Sequence, residues 1–238
     1  MATVLLVRHG RTTANATGIL AGRSPGVLLD EVGHDQADRT GERIAVVPLA
    51  LVVTSPMERC RQTAAAITTR HEPLPQTRVD ERLTECDYGA WQGRPLADLA
   101  REPLWSTVQR QPSAAVFPGG ESLAAMQARA VAAVRETDAA VTAEHGPGAV
   151  WVAVTHGDIV KAVLADALGM HLDLFQRIGA SPASVSVVRY GAERPDVVAT
   201  STEAGDLSWL RGAAPAGDAA VGGGAGPGDR SVDVAGRS

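Results

Sequence analysis

Apolar positions along this chain fall into short runs separated by longer amphipathic stretches. Residues 3–7 (TVLLV), 49–53 (LALVV), 150–154 (VWVAV), 185–190 (VSVVRY) and 197–200 (VVAT) are compact and rich in valine. Runs of this length bounded by polar or turn residues predict strands buried in a sheet. A shorter strand is expected near Thr77–Val79, inside a loop region spanning 70–94. Helical patterning fills the intervals. Asp30 is placed to cap a helix running to about Ala45, with Val32, Ala37 and Ile44 loosely on one face. Ser55-Pro56 reads as an N-cap followed by a first-turn proline, opening a helix to about Thr69. The breaker Pro118-Gly119-Gly120 precedes a long helix from about Glu121 to Ala143, and Gly157–Leu168 predicts another.

Strands alternating with helices predict an α/β fold: a three-layer sandwich with a mostly parallel central sheet flanked by helices. Ligands of such sheets bind at the carboxyl ends of the strands. Three predicted strands end in chemically loaded turns, namely Arg8-His9-Gly10, Thr54-Ser55-Pro56 and Thr155-His156-Gly157. Residues 212–238 differ in kind. They are rich in Gly, Ala, Pro and Asp, lack aromatics and show no period, so a disordered tail is expected after a single domain over 1–211.

Composition narrows the classes. The 238 residues are 45% hydrophobic, enough for one well-formed core. The formal net charge of −5 argues against a nucleic-acid partner. No apolar stretch reaches the ~20 residues of a membrane-spanning helix, and the strand pattern begins at once, without the basic and apolar regions of a secretory signal. Cys60 and Cys86 stand in no metal-binding spacing, so a reduced, cytoplasmic protein is expected. Lys161 is the only lysine, a bias of composition to which no chemistry is attached. The pattern specifies no oligomeric state.

The chemistry is carried by the strand ends. A histidine after a strand is ordinarily a polar edge residue, but His9 has Arg8 before it and Gly10 after it. Gly10 permits a tight turn, with its N–H expected to be free for an oxyanion. His156 repeats the arrangement before Gly157, whereas His34, His71, His145 and His171 lack it and read as surface or packing residues. Arg59 falls about one turn after Ser55, where its fork can reach an anion above the strand ends; Arg61 reads as solvent-facing. The segment RLTECDYGAWQG gathers Glu81, Glu85 and Asp87. Its default reading is a solvated acidic loop, yet Tyr88, Trp91, Gly89 and Gly93 argue for a packed loop that holds a carboxylate in a partly apolar pocket. Burial there raises a carboxyl's pKa and suits it to general acid work.

Four motifs in order, RHGRTTAN at 8–15, LLDEVGHDQA at 28–37, TSPMERCRQT at 54–63 and LTECDYGAWQG with THGD beyond it, resemble the histidine phosphatase superfamily in its phosphoglycerate-mutase-like phosphatase branch. The resemblance covers about residues 1–205. It implies His9 as a nucleophile forming a phosphohistidine, Arg8, Arg59 and His156 as phosphate ligands, and Glu85 as proton donor. It places Thr12 and Asn15 at the phosphate entrance, with Gly10 and Gly157 allowing close backbone approach. The activity implied is metal-independent, cofactor-free hydrolysis of a small phosphorylated metabolite. A cofactor-dependent phosphoglycerate mutase is the alternative. Known mutases carry ERHYG where this chain reads ECDYG, and residues 94–120 hold few basic residues: Arg94, Arg101 and Arg110. Those three and Arg23 are candidates to meet a second anion, and Trp105 either stacks on a substrate ring or packs. An idle phosphate-binding module is the third reading, and needs neither His9 nor Glu85.

Overall fold

The structure, a computed structural model, describes residues 2–205 and 221–224. β1 (Thr3–Arg8) leads through a short helix α1 (Thr13–Ala16) to α2 (Glu31–Ile44), β2 (Leu51–Thr54), α3 (Glu58–Thr68) and β3 (Gln76–Val79). Two helices absent from the sequence reading follow, α4 (Leu96–Leu99) and α5 (Pro103–Arg110). They lead to α6 (Leu123–His145), β4 (Val150–Thr155), α7 (Gly157–Ala167), β5 (Val185–Tyr190) and β6 (Pro195–Thr202). The strands form one sheet in the order β3-β2-β4-β1-β5-β6. β3, β2, β4 and β1 run parallel, while β5 and β6 add antiparallel.

Side-chain alternation on β1 separates two cores, because successive residues of a strand face opposite ways. Leu5 and Val7 pack with Ile44, Cys60, Ala64 and Ile67 of α2 and α3. Val4 and Leu6 join Met126, Ala130 and Val134 of α6 and Ile159 and Val163 of α7 on the other face. The sheet is therefore the middle layer of three. α2 begins as expected, with the Asp30 side chain accepting the Gly33 N–H. Its inner face is Gly33, Ala37, Thr40, Gly41 and Ile44, while Val32 is exposed. Small residues line it because α2 and α3 approach closely: a Cβ on Gly41 would overlap the Ala66 carbonyl oxygen.

The boundary expected at residue 211 and most of the expected tail lie outside the described residues. Val221–Gly224 are the exception. This segment packs on the domain, and Val221 is buried with Leu20 and Tyr88 in the α6/α7 core. A single valine among glycines carries no hydrophobic period, so composition alone misassigns it.

Candidate active site

The register of two strands assembles the centre. In the β1–β4 pair Arg8 lies opposite Thr155, so the next residue of each strand is a histidine. The His9 N–H donates to the Thr155 carbonyl at 2.9 Å, and the His9 and His156 rings meet edge to face at 5.3 Å. β2 adds Ser55 alongside, its N–H bonded to the Val154 carbonyl at 2.9 Å.

Hydrogen bonds fix the state of His9. Nδ1 donates to the Gly10 carbonyl at 2.7 Å, and Nε2 accepts from Arg59 Nε at 3.3 Å. Nε2 thus carries the lone pair, facing the pocket. Burial, then Arg59 and Arg8, hold the His9 pKa well below its ordinary value, so the ring is neutral. His156 is depressed in the same way, by burial and then by Arg59 and His9. Its Nδ1 accepts from Arg59 Nη2 at 3.2 Å, and its Nε2 meets Ser55 Oγ at 2.7 Å. A guanidinium only donates, so the neutral His156 ring carries its proton on Nε2 and donates it to Ser55 Oγ.

Arg59 is buried at the base of the pocket. Nη2 also donates to the Gly22 carbonyl at 2.7 Å, whereas the buried Nη1 has no hydrogen-bond partner among the described residues. An unpaired buried guanidinium donor is costly unless a ligand satisfies it. Arg8 is fully buried; Nη1 donates to the Ala180 carbonyl at 2.8 Å and Nη2 to the Gly224 carbonyl at 2.6 Å. Burial lowers its pKa to about 10, which leaves it cationic at neutral pH.

Glu85 stands across the pocket. Arg23 Nε and Arg129 Nη2 clamp its carbonyl at 2.8 and 3.1 Å, and its Oε1 accepts the Cys86 N–H at 3.0 Å. Burial, then the nearby Asp158 carboxylate, push its pKa up to about 7 against the pull of Arg59 and Arg8. Glu81 and Asp87 do not line the pocket. The loop is packed as expected, with Tyr88 and Trp91 each edge-on to Phe117 at 5.0 and 5.3 Å.

The pocket, whose free space of about 20 Å³ holds little more than a water molecule, is lined by His9, Thr12, Asn15, Arg59 and Glu85, with Ile19, Leu20 and Leu96 as apolar wall. Thr12 caps α1, and Thr12 and Asn15 brace each other at 2.9 Å. His156 lies behind Arg59, and Gly157 opens α7 beyond it. Gly10 corrects one expectation. Its N–H donates to Thr63 Oγ1 at 3.1 Å and is not free, because α3 packs directly beneath the turn. Gly10 is required there for another reason, since a Cβ would overlap the Gly33 carbonyl oxygen.

The candidates for a second anion site are engaged elsewhere. Arg23 pairs with Glu121 at 2.8 Å and Arg94 with Glu102 at 2.7 Å. Arg101 faces Asp98 from an exposed position and Arg110 bonds Ser106. Trp105 stacks on Trp91 and packs on the core.

Several residues carry roles that the sequence does not announce. Ser55 reads as a helix cap, but α3 starts three residues later, behind Met57, and Ser55 serves His156. Asp158, in the THGD motif, is fully buried; it accepts the Tyr88 hydroxyl at 2.8 Å and lies 3.5 Å from Lys161 Nζ. The lone lysine is thus a buried partner rather than a compositional accident. The signal available is an acidic residue directly after His-Gly, with the lone lysine three positions on along a largely apolar helix.

The sequence profile of the histidine phosphatase superfamily (branch 1) matches residues 4–202, and the chain belongs to that family. A fructose-2,6-bisphosphatase of Xenopus tropicalis is 35% identical over 127 residues, covering 52% of this chain and 46% of that protein. A glucosyl-3-phosphoglycerate phosphatase of Mycolicibacterium vanbaalenii is 30% identical over 200 residues, covering 81% and 86%. The solved mycobacterial glucosyl-3-phosphoglycerate phosphatase complexed with VO3 is similar at a TM-score of 0.75 and 27% identity, covering 84% of this chain and 99% of that one. The chain spans about half the length of the Xenopus protein and of a bifunctional protein of Mycobacterium tuberculosis that it also matches. Among the described residues no helix is long and apolar enough to cross a membrane.

Proposed function

We propose that this chain is a phosphatase that hydrolyses a small phosphomonoester through a phosphohistidine on His9. The observation that carries the reading is His9 itself: a neutral imidazole with Nδ1 tied to the Gly10 carbonyl, so that Nε2 offers its lone pair beside two buried guanidinium groups. In the first step Nε2 attacks phosphorus in line. The N–P bond forms, the P–O ester bond breaks, and protonated Glu85 gives its proton to the leaving alkoxide. In the second step the Glu85 carboxylate takes a proton from water, whose oxygen attacks phosphorus and releases phosphate and neutral His9. Arg8 and Arg59 hold the equatorial oxygens, where preorganised donors stabilise the charge that builds up, and His156 backs Arg59 through Nδ1 rather than meeting the phosphate in this arrangement. Thr12 and Asn15 line the entrance. No step calls on a metal or cofactor, because the guanidinium groups supply the positive charge.

Hydrolysis is favoured over mutase chemistry because Arg23, Arg94, Arg101 and Arg110 are committed to protein partners. The relatives' named substrates point to phosphorylated metabolites as the class. Free buried thiols at Cys60 and Cys86 suit a reducing cytoplasm, and the charge of −5 offers nucleic acid no footing. The test is phosphate release across a panel of phosphorylated metabolites, run beside a mutase assay with 2,3-bisphosphoglycerate. His9→Ala is expected to abolish turnover, and acid-labile phosphate is expected on His9 of wild-type protein denatured during turnover. Near-normal turnover by His9→Ala would overturn the reading.

A further inference from the structure

We propose that the active-site pocket is also a binding site for the chain's own segment Val221–Gly224, which competes with the phosphoryl group for Arg8. The inference rests on the phosphatase reading for the identity of the competitor.

Three contacts seat the segment, each of a different kind. Val221 is buried to 1% exposure in the apolar cluster that contains Leu20 and Tyr88. The Gly222 N–H donates to Asp158 Oδ2 at 3.1 Å. The Gly224 carbonyl accepts from Arg8 Nη2 at 2.6 Å. Asp158 is prepared for this, since the Tyr88 hydroxyl holds the same oxygen at 2.8 Å while Lys161 balances its charge from 3.5 Å. The residue types follow from the fit. Gly222 adopts φ 75°, and a Cβ there would come within 3.0 Å of Leu20 Cδ1.

Val221, Gly222 and Gly224 line the same cavity as His9, Arg59 and Glu85. With the segment in place, the free space accommodates little more than a water molecule. A phosphoryl group and its ester cannot enter beside it. The chemistry of the overlap is specific. A carbonyl oxygen carries partial negative charge and satisfies a buried guanidinium donor. A phosphate oxygen carries full charge and makes the stronger bond to the same atom. Gly224 is therefore a weak neutral stand-in for a phosphate oxygen, and substrate must displace it. The apparent affinity for phosphate is lowered by the fraction of molecules in which the segment is out.

The test uses the full chain with Gly222→Pro, which removes the N–H and forbids the positive φ, and separately with Val221→Asp, which puts a charge where the valine is buried. Neither residue takes part in the proposed chemistry. Calorimetric titration with inorganic phosphate is expected to show about tenfold tighter binding in both variants, the shift for a segment seated about nine-tenths of the time. KM for p-nitrophenyl phosphate should fall by a similar factor, with kcat within about twofold. In the wild-type chain, saturating phosphate should speed hydrogen exchange at the Gly222 amide. Unchanged or weaker phosphate binding in both variants, a loss of kcat, or exchange that stays unchanged or slows would overturn the proposal and make the segment a bystander or a wall of the productive site. Tighter phosphate binding without turnover of any phosphomonoester would instead leave the competition standing and remove the phosphatase reading. Absence of phosphate binding in all three proteins would overturn both.

Discussion

Replacing Glu85 by glutamine keeps the shape of the side chain and an oxygen for the Cys86 N–H, but removes the proton that the proposed mechanism gives to the leaving group. With a pKa of about 7, Glu85 is roughly nine-tenths protonated at pH 6 and one-tenth at pH 8. An ordinary exposed carboxyl is less than about 1% protonated at pH 7, so the buried position retains a usable acid at neutrality. General acid catalysis contributes about 10²–10⁴-fold. For an alkyl phosphate, the ratio of wild-type to Glu85→Gln kcat/KM is therefore expected in that range at pH 6. It should fall by roughly the same nine-to-one proportion by pH 8. Taking the ratio cancels the substrate's own ionisation, which is common to both proteins. With p-nitrophenyl phosphate the leaving group needs little protonation, so the kcat/KM ratio should approach one while kcat still falls, because water activation in the second step needs the carboxylate. Steady-state profiles on the two substrates provide the measurement. A ratio for the alkyl ester that is flat with pH, or equal to that of Glu81→Gln and Asp87→Asn, would refute the assignment and turn attention to His156.

Ser55→Ala removes the 2.7 Å partner of His156 Nε2 and leaves it only Cys60 Sγ at 3.5 Å, a loss of about 1 kcal/mol; kcat/KM should fall several-fold, and an unchanged value would show Arg59 and Cys60 to hold His156 by themselves. Gly10→Ala forces the turn away from the Gly33 carbonyl, so both melting temperature and activity should drop, with calorimetry and phosphate release as readouts. Because folded Glu85 keeps its proton to a higher pH than the unfolded chain does, its contribution to stability is present at acid pH and is lost as pH rises to about 7. Melting temperatures of wild type should therefore decline more steeply than those of Glu85→Gln between pH 5 and 7.5. Treatment with EDTA should leave activity intact, and loss restored by Mg²⁺ or Zn²⁺ would show that Arg8 and Arg59 do not suffice.

The fold is legible in the sequence where periodicity is strong. β1, β2, β4, β5 and β6 fall within about two residues of their expected bounds, and α2, α6 and α7 nearly so, because apolar runs and caps such as Asp30 are local signals. α4 and α5 escape notice because four- and eight-residue helices in a proline-rich stretch carry too few periods to register. At the site, the His-Gly pairs and Arg59 stand out as residue types at strand ends. Ser55, Thr63 and Asp158 do not, since their roles come from partners 101, 53 and 70 positions away that only the folded chain supplies. The Val221 contact is the extreme case, one apolar residue isolated in a glycine-rich background.

The pairing of Arg8 with Thr155 also sets when the protein becomes competent during its own assembly. Nearly 150 positions separate the two halves of the centre, and each half alone is a histidine at the end of an unpaired strand. On a ribosome, β1 and β2 emerge long before β4, which must then insert between them. Long-range parallel pairing is among the slower events of folding, because the entropy of closing the loop is lost before the strands' hydrogen bonds form. A chain halted before residue 155 has no centre at all, and a one-residue slip of β4 against β1 would turn His156 to the opposite face. Regain of phosphate binding after dilution from denaturant should accordingly lag behind the helical circular-dichroism signal, making the ligand a reporter of central-sheet closure.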